Sequence, residues 1–147
     1  MSIALSKEKV QANNGLMMVL SFVALMITNV IVIIVANALF PTAVVLGTYS
    51  ISYWWAVHNS MFKLAVVDTF VMPLVTYYEW KSKTVFTPRQ WMITYFLVNF
   101  VTLYGITRFA ENLGLGVSAW YVVALLAVAL DLVQGWVMMA LGKMIKL

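Results

Sequence analysis

The segment that decides the fold is Met61–Trp80, MFKLAVVDTFVMPLVTYYEW, which is apolar enough to cross a bilayer yet contains charged residues. The charged side chains in its apolar part are Lys63 and Asp68. A second segment, Trp120–Lys143, follows the same plan, with Asp131 in the place of Asp68. An ionised carboxylate is costly in hydrocarbon, so both aspartates are expected to face the protein interior, a partner charge or water.

The composition of the whole chain is that of an integral membrane protein. Of its 147 residues, 64% are hydrophobic and only 10% are charged, and the mean hydropathy is +0.96. A soluble domain does not need so much apolar surface. The net charge of +4 comes from basic residues at segment ends, which does not indicate nucleic-acid binding. We therefore expect one membrane domain, residues 1–147, surrounded by the lipid bilayer and holding structural lipids.

Four apolar stretches predict an all-α bundle of four transmembrane helices, since about 20 residues suffice to cross a bilayer. These stretches lie at about residues 15–40, 55–79, 88–109 and 117–141. The residues between and before them are expected to form an amphipathic lead-in (1–14), a connection leading into the second helix (41–57), a basic loop (81–90) and a glycine-containing turn (111–116). Thr87-Pro88 is a typical helix start, because threonine caps a helix and proline suits its first position.

The basic residues predict how the bundle is oriented. With four spans, both termini and the 81–89 loop share one side of the membrane. That side holds seven of the nine basic residues, namely Lys7, Lys9, Lys81, Lys83, Arg89, Lys143 and Lys146. The positive-inside rule then places both termini in the cytoplasm, as in a multi-pass protein of the plasma membrane.

The two halves of the chain resemble each other. Met26–Thr28 recurs as Met92–Thr94, and Ser52–Val57 resembles Ser118–Val123, both at an offset of 66 residues. The two membrane aspartates align at an offset of 63. The chain is therefore interpreted as two repeated two-helix hairpins in the same orientation, related by a pseudo-twofold axis along the membrane normal.

Several polar residues are predicted to lie inside the bundle, where they could form an ion path. Asp68 and Asp131 lie roughly 18–20 Å from their basic helix ends, close to the bilayer centre, at 1.5 Å per residue. The full set is Asn29, Lys63, Asp68, Asn99 and Asp131, with Thr102 and Gln134 nearby. Two interpretations stay open: the aspartates are hydrogen-bonded groups that fix helix packing, or they bind protons or cations on a transport path.

No catalytic motif or cofactor site is evident in the sequence, and there is no cysteine. Phosphate-binding loops, GxSxG, HExxH and CxxC are all absent, so no catalytic residues are predicted. His58 is the only histidine. It is a weak metal-ligand candidate, since one chain rarely makes a metal site with a single nitrogen ligand.

These observations favour a non-catalytic integral subunit of a larger membrane complex, with other integral membrane subunits as partners. The motivation is the small size, the bulky apolar faces and the lack of catalytic motifs. The alternative is a small oligomeric transporter or channel, coupled to ions or protons, that uses Asp68 and Asp131. A third hypothesis is a membrane enzyme subunit that contributes His58 to a metal site.

Overall fold

A computed structural model describes the backbone of residues 2–145 and the side chains of residues 14–145. Four long helices pack side by side, so the all-α prediction is confirmed. The elements are α1 (Ser2–Leu39), β1 (Val44–Leu46), α2 (Tyr53–Ser82), α3 (Pro88–Arg108), α4 (Ala110–Leu113), β2 (Leu115–Val117) and α5 (Trp120–Ile145). Within the described residues, three helices are long and apolar enough to cross a membrane, at Asn14–Leu39, Tyr53–Ser82 and Trp120–Ile145.

The predicted lead-in, residues 1–14, is continuous with the first helix, because α1 already begins at Ser2. The side chains expected to face the surface or water there, Ile3, Leu5, Lys7, Glu8, Lys9 and Val10, lie outside the described part of the chain. The same holds for Lys146 near the C-terminus.

Two short strands, which the sequence analysis did not predict, join the two halves of the bundle at one end. β1 pairs antiparallel with β2, with Val45 opposite Gly116. The pairing is extended by Gly47, whose N–H donates to the Gly114 carbonyl at 2.7 Å, and by Ser118. The expected connection at 41–57 and turn at 111–116 are thus partly strand. We call this the sheet end, and the opposite end, with the α2–α3 connection at residues 83–87, the loop end.

Side-chain caps fix where the second and third helices begin. The Ser52 hydroxyl accepts a hydrogen bond from the Trp55 N–H at 3.4 Å at the start of α2. At the start of α3, Thr87 and Gln90 form a reciprocal capping box, with Pro88 at the first helical position. The helix start predicted from Thr87-Pro88 is therefore confirmed. The capping box supplies acceptors for N–H groups that would otherwise be unpaired, and Pro88 has no N–H that would need one.

The apolar core fills the half of the bundle next to the sheet end. Its fully buried side chains include Ile33, Leu64, Leu103, Leu115 and Leu130. Each long helix also exposes large apolar side chains on its outer face, such as Ile31, Phe70, Val101 and Leu125. An apolar exterior around a packed interior is suited to lipid rather than water.

Candidate functional site

Four polar side chains from four different helices meet in the centre of the bundle. They are Asn29 on α1, Asp68 on α2, Asn99 on α3 and Gln134 on α5, and each is at most 2% exposed. We call these four residues the polar cluster. Three of them belong to the polar set predicted from the sequence, so the bundle does bring Asn29, Asp68 and Asn99 together.

Gln134 is the centre of the polar cluster, since it contacts all three other members. Its Nε2 donates to Asn29 Oδ1 at 2.7 Å and to Asp68 Oδ2 at 2.9 Å. Its Oε1 accepts from Asn99 Nδ2 at 2.9 Å. A weaker bond at 3.5 Å joins Asn29 Nδ2 to the same Asp68 oxygen. The cluster therefore ties all four long helices together by hydrogen bonds shielded from solvent.

Not every polar atom of this region has a partner. Within the described part of the chain, Asp68 Oδ1, Asn99 Oδ1 and Ser21 Oγ are buried and have no hydrogen-bond partner. Asp68 and Ser21 both line a small void of about 10 Å³. A void of that size holds about one water molecule, and the unpaired oxygens of Asp68 and Ser21 are suitable partners for one.

Asp131 lies outside the polar cluster, although the sequence analysis placed it at the same depth as Asp68. It is partly exposed and lines a cavity of about 570 Å³ between α2, α3 and α5. The cavity is near the loop end, since its wall includes Pro88 and Trp91 at the start of α3. Its full lining is Met72, Pro88, Trp91, Met92, Tyr95, Asp131, Leu132, Gln134, Gly135, Trp136, Met138 and Met139.

The cavity and the polar cluster are neighbours. Gln134 belongs to both, because it lines the cavity and donates to Asp68. Met72, Tyr95 and Met138 border both the cavity and the small void beside Asp68, so they form the wall between them. A molecule in the cavity would thus contact Asp131 directly and Asp68 only through Gln134 or this wall.

Lys63 and His58, the remaining predicted candidates, lie on the outside of α2. Lys63 is exposed and donates to the Asn59 side-chain oxygen, one helical turn earlier, rather than to a carboxylate in the interior. His58 is exposed, with Nδ1 2.7 Å from the Trp54 carbonyl oxygen. Among the described residues, no three His, Cys, Asp or Glu side chains are grouped so as to hold a metal ion.

Gln134, which the sequence places only near the predicted polar layer, is thus a central member of the polar cluster. The repeat contained a signal for it: Asp68 and its partner Gln134 are 66 residues apart, the offset of the two matching motifs. The alignment of Asp68 with Asp131 needed three additional residues in the first half. At the offset of 66 residues, without any insertion, the residue equivalent to Asp68 is Gln134.

Comparisons with protein-family models, with curated proteins and with solved structures found no match to this chain.

Proposed function

We propose that the chain is a four-span protein of the plasma membrane, with both termini in the cytoplasm, that binds a small molecule inside the bilayer as a step in transport. The observation on which this depends is the cavity of about 570 Å³ with Asp131 and Gln134 in its wall. Ligand pockets are usually cavities of about 300–1,000 Å³, mostly apolar, with a few polar groups that orient the ligand.

The proposed fourth span is α3, which is less apolar than the other three long helices. It has 21 residues, or about 31 Å at 1.5 Å per residue, which matches the hydrocarbon thickness. It contacts both α2 and α5, and its polar Asn99 points into the polar cluster. A helix whose polar side chain is buried against neighbouring helices can lie in the membrane beside them.

An open channel is a less suitable interpretation than a binding site. Ile33, Leu64, Leu103 and Leu130 follow the polar cluster on the side of the sheet end, and each is at most 1% exposed. This apolar layer separates the cluster from the sheet end. Transport through the bundle would then require a conformational change after binding, as in a carrier.

The competing proposal is the accessory subunit favoured by the sequence analysis. In that case the same cavity would be covered by a helix of an unlike subunit. Exposed aromatic residues near the loop end, such as Trp136 at 70%, would suit such a contact, because aromatic residues are enriched at interfaces.

Cysteine labelling distinguishes the two proposals, because the chain has no native cysteine. Gly135 lines the cavity, and a Cβ added there meets nothing within 4 Å. We expect Gly135→Cys in native membranes to react with a small thiol reagent. The matched control is Gly105→Cys, which also has open space around its Cβ but lies outside the cavity.

Protection of Gly135→Cys until the membrane is solubilised would contradict the binding proposal and support a covered subunit interface. Native mass spectrometry after mild extraction would then be expected to show unlike subunits in one particle. Reaction of Gly135→Cys in the native membrane, with a particle that contains this chain alone, is the result expected for a transporter.

A further inference from the structure

We infer that the cavity binds an organic onium ion, that is, an ammonium or phosphonium centre with apolar groups attached. The inference rests on the proposed function and adds the chemical class of the ligand. Among the residues 14–145 whose side chains the structure describes, Asp131 is the only charged group that lines the cavity, and no basic one does. A ligand that enters this apolar space therefore meets one negative charge, which favours a cation.

The aromatic residues of the cavity wall favour a positive ligand as well. Trp91, Tyr95 and Trp136 line it together with Asp131. Trp91 and Tyr95 are stacked on each other, with ring centroids 6.0 Å apart and planes 25° apart, so each ring has one face not occupied by the other. Trp91 also contacts Phe86, whose ring plane is inclined at 69° to it. Ring faces attract cations, and tryptophan does so most strongly.

The rest of the wall is suited to an apolar body rather than to a bare metal ion. Metal ions such as Ca²⁺ or Mg²⁺ take six or more oxygen ligands. The side-chain oxygens available in the cavity wall come from Asp131, Gln134 and Tyr95. Four methionines, Met72, Met92, Met138 and Met139, form much of the remaining surface. Methionine is flexible and polarisable, and it adapts to apolar ligands of different shapes.

Two sources could supply such an ion. One is a dissolved lipophilic cation, and the other is the ammonium headgroup of a phospholipid, which could enter the cavity from the loop end, where Pro88 and Trp91 form part of its wall. Both would place the positive centre against Asp131 and the apolar part against the methionines. The experiment therefore includes a comparison of lipids.

The probe is tetraphenylphosphonium, measured by equilibrium binding to the full chain in nanodiscs of phosphatidylglycerol. Tetraphenylborate, which has nearly the same size and shape but a negative charge, is the control for apolar partitioning. We expect saturable binding of the phosphonium and only non-saturable partitioning of the borate. Equal binding of both ions would overturn the inference, because it would mean that the cavity selects for apolar surface alone.

Single-residue variants test which side chains bind the phosphonium ion. Asp131→Asn should weaken phosphonium binding about tenfold or more, because a charge pair a few ångströms apart is strong where water is largely excluded. Glu111→Gln, the same chemical change on the exposed helix α4, should leave the affinity unchanged. Trp91→Leu should weaken it about three- to tenfold. Trp80→Leu, at an exposed position outside the cavity, should not.

Lipid composition then separates the two sources. Weaker phosphonium binding in nanodiscs that contain phosphatidylethanolamine, after correction for partitioning into empty nanodiscs of the same lipids, would show that the lipid ammonium group competes for the site. Unchanged binding would indicate a free organic cation. Unaltered affinity of Asp131→Asn would overturn the inference in either lipid.

Failure of this inference can be distinguished from failure of the proposed function. If Gly135→Cys reacts in membranes and the borate, but not the phosphonium, binds saturably, the cavity is a ligand site but not for cations. If Gly135→Cys is protected and neither ion binds, the proposed binding function itself is wrong.

Discussion

Replacement of Gln134 by leucine is the perturbation that most strongly tests the polar cluster. The side chain makes three buried hydrogen bonds, at 2.7, 2.9 and 2.9 Å, to Asn29, Asp68 and Asn99. Leucine has a similar volume and makes none of them. Asn99 would lose the one side-chain hydrogen bond that it makes with other described residues, because its Oδ1 has no partner among them.

The expected loss of folding stability follows from these three hydrogen bonds. Individual hydrogen bonds contribute about 0.5–1.5 kcal/mol, and those between membrane helices average about 0.6 kcal/mol. Gln134→Leu should therefore lower the free energy of unfolding by roughly 2–4 kcal/mol. Asp131→Leu, three residues earlier on the same helix, removes a partly exposed carboxylate and should change it by less than about 1 kcal/mol.

The assay is unfolding in mixed micelles at increasing fractions of denaturing detergent, followed by loss of helical circular dichroism. Both variants and the parent protein are measured in the same lipid-detergent mixture. An Asp131→Leu variant that is as unstable as Gln134→Leu, or more so, would refute the assignment of Gln134 as the centre of the polar cluster.

Other predictions test the cluster, the sheet end and the orientation. Asp68→Asn should be more stable in the same detergent titration than Asp68→Leu, because asparagine still accepts from Gln134, whereas leucine leaves buried donors unpaired; the reverse order would argue against a packing role. Gly114→Ala should be destabilised by about 2 kcal/mol or more, since its φ is +83° and the new Cβ would lie 2.5 Å from Ala56 Cβ. Gly135→Ala, with open space around it, is the control, and similar unfolding of both variants would contradict the tight contact at the sheet end. Single cysteines at Lys83 and Tyr49, both exposed, should be labelled by an impermeant reagent from opposite sides of the membrane, with Lys83 on the cytoplasmic side; labelling of both from one side would contradict the four-span topology.

The helices and one of their starts could be predicted from the sequence because the responsible interactions are local. Long apolar runs fix where α1, α2 and α5 lie, and Thr87-Pro88 fixes where α3 begins. The burial of Asp68 could be expected as well, since a carboxylate in a long apolar segment must turn away from lipid.

The sheet end could not be predicted in the same way. β1 and β2 have three residues each, and they are about 70 residues apart in the chain. Each strand is stabilised by the other, so neither has a recognisable pattern of its own. Pairing between distant segments depends on the helices that bring the two connections together.

The different environments of Asp131 and Gln134 could not be predicted from the positions of the two residues along the chain either. The two residues are three apart on α5, so they lie on neighbouring parts of the helix surface. Almost all the remaining residues of this helix are apolar. The sequence therefore does not indicate which side of the helix faces the interior. Packing against the other helices places Gln134 inside the bundle and leaves Asp131 in the cavity wall.

The most direct test of this account is to compare the reactivity of the two membrane carboxyl groups. Membranes that contain the protein are treated with an apolar carbodiimide, and the modified peptides are quantified by mass spectrometry. We expect modification of Asp131, which lines the cavity, and protection of Asp68, which is 0% exposed; tetraphenylphosphonium should slow the reaction at Asp131. Equal or faster modification of Asp68 would contradict the separation of a closed polar cluster from an accessible binding cavity.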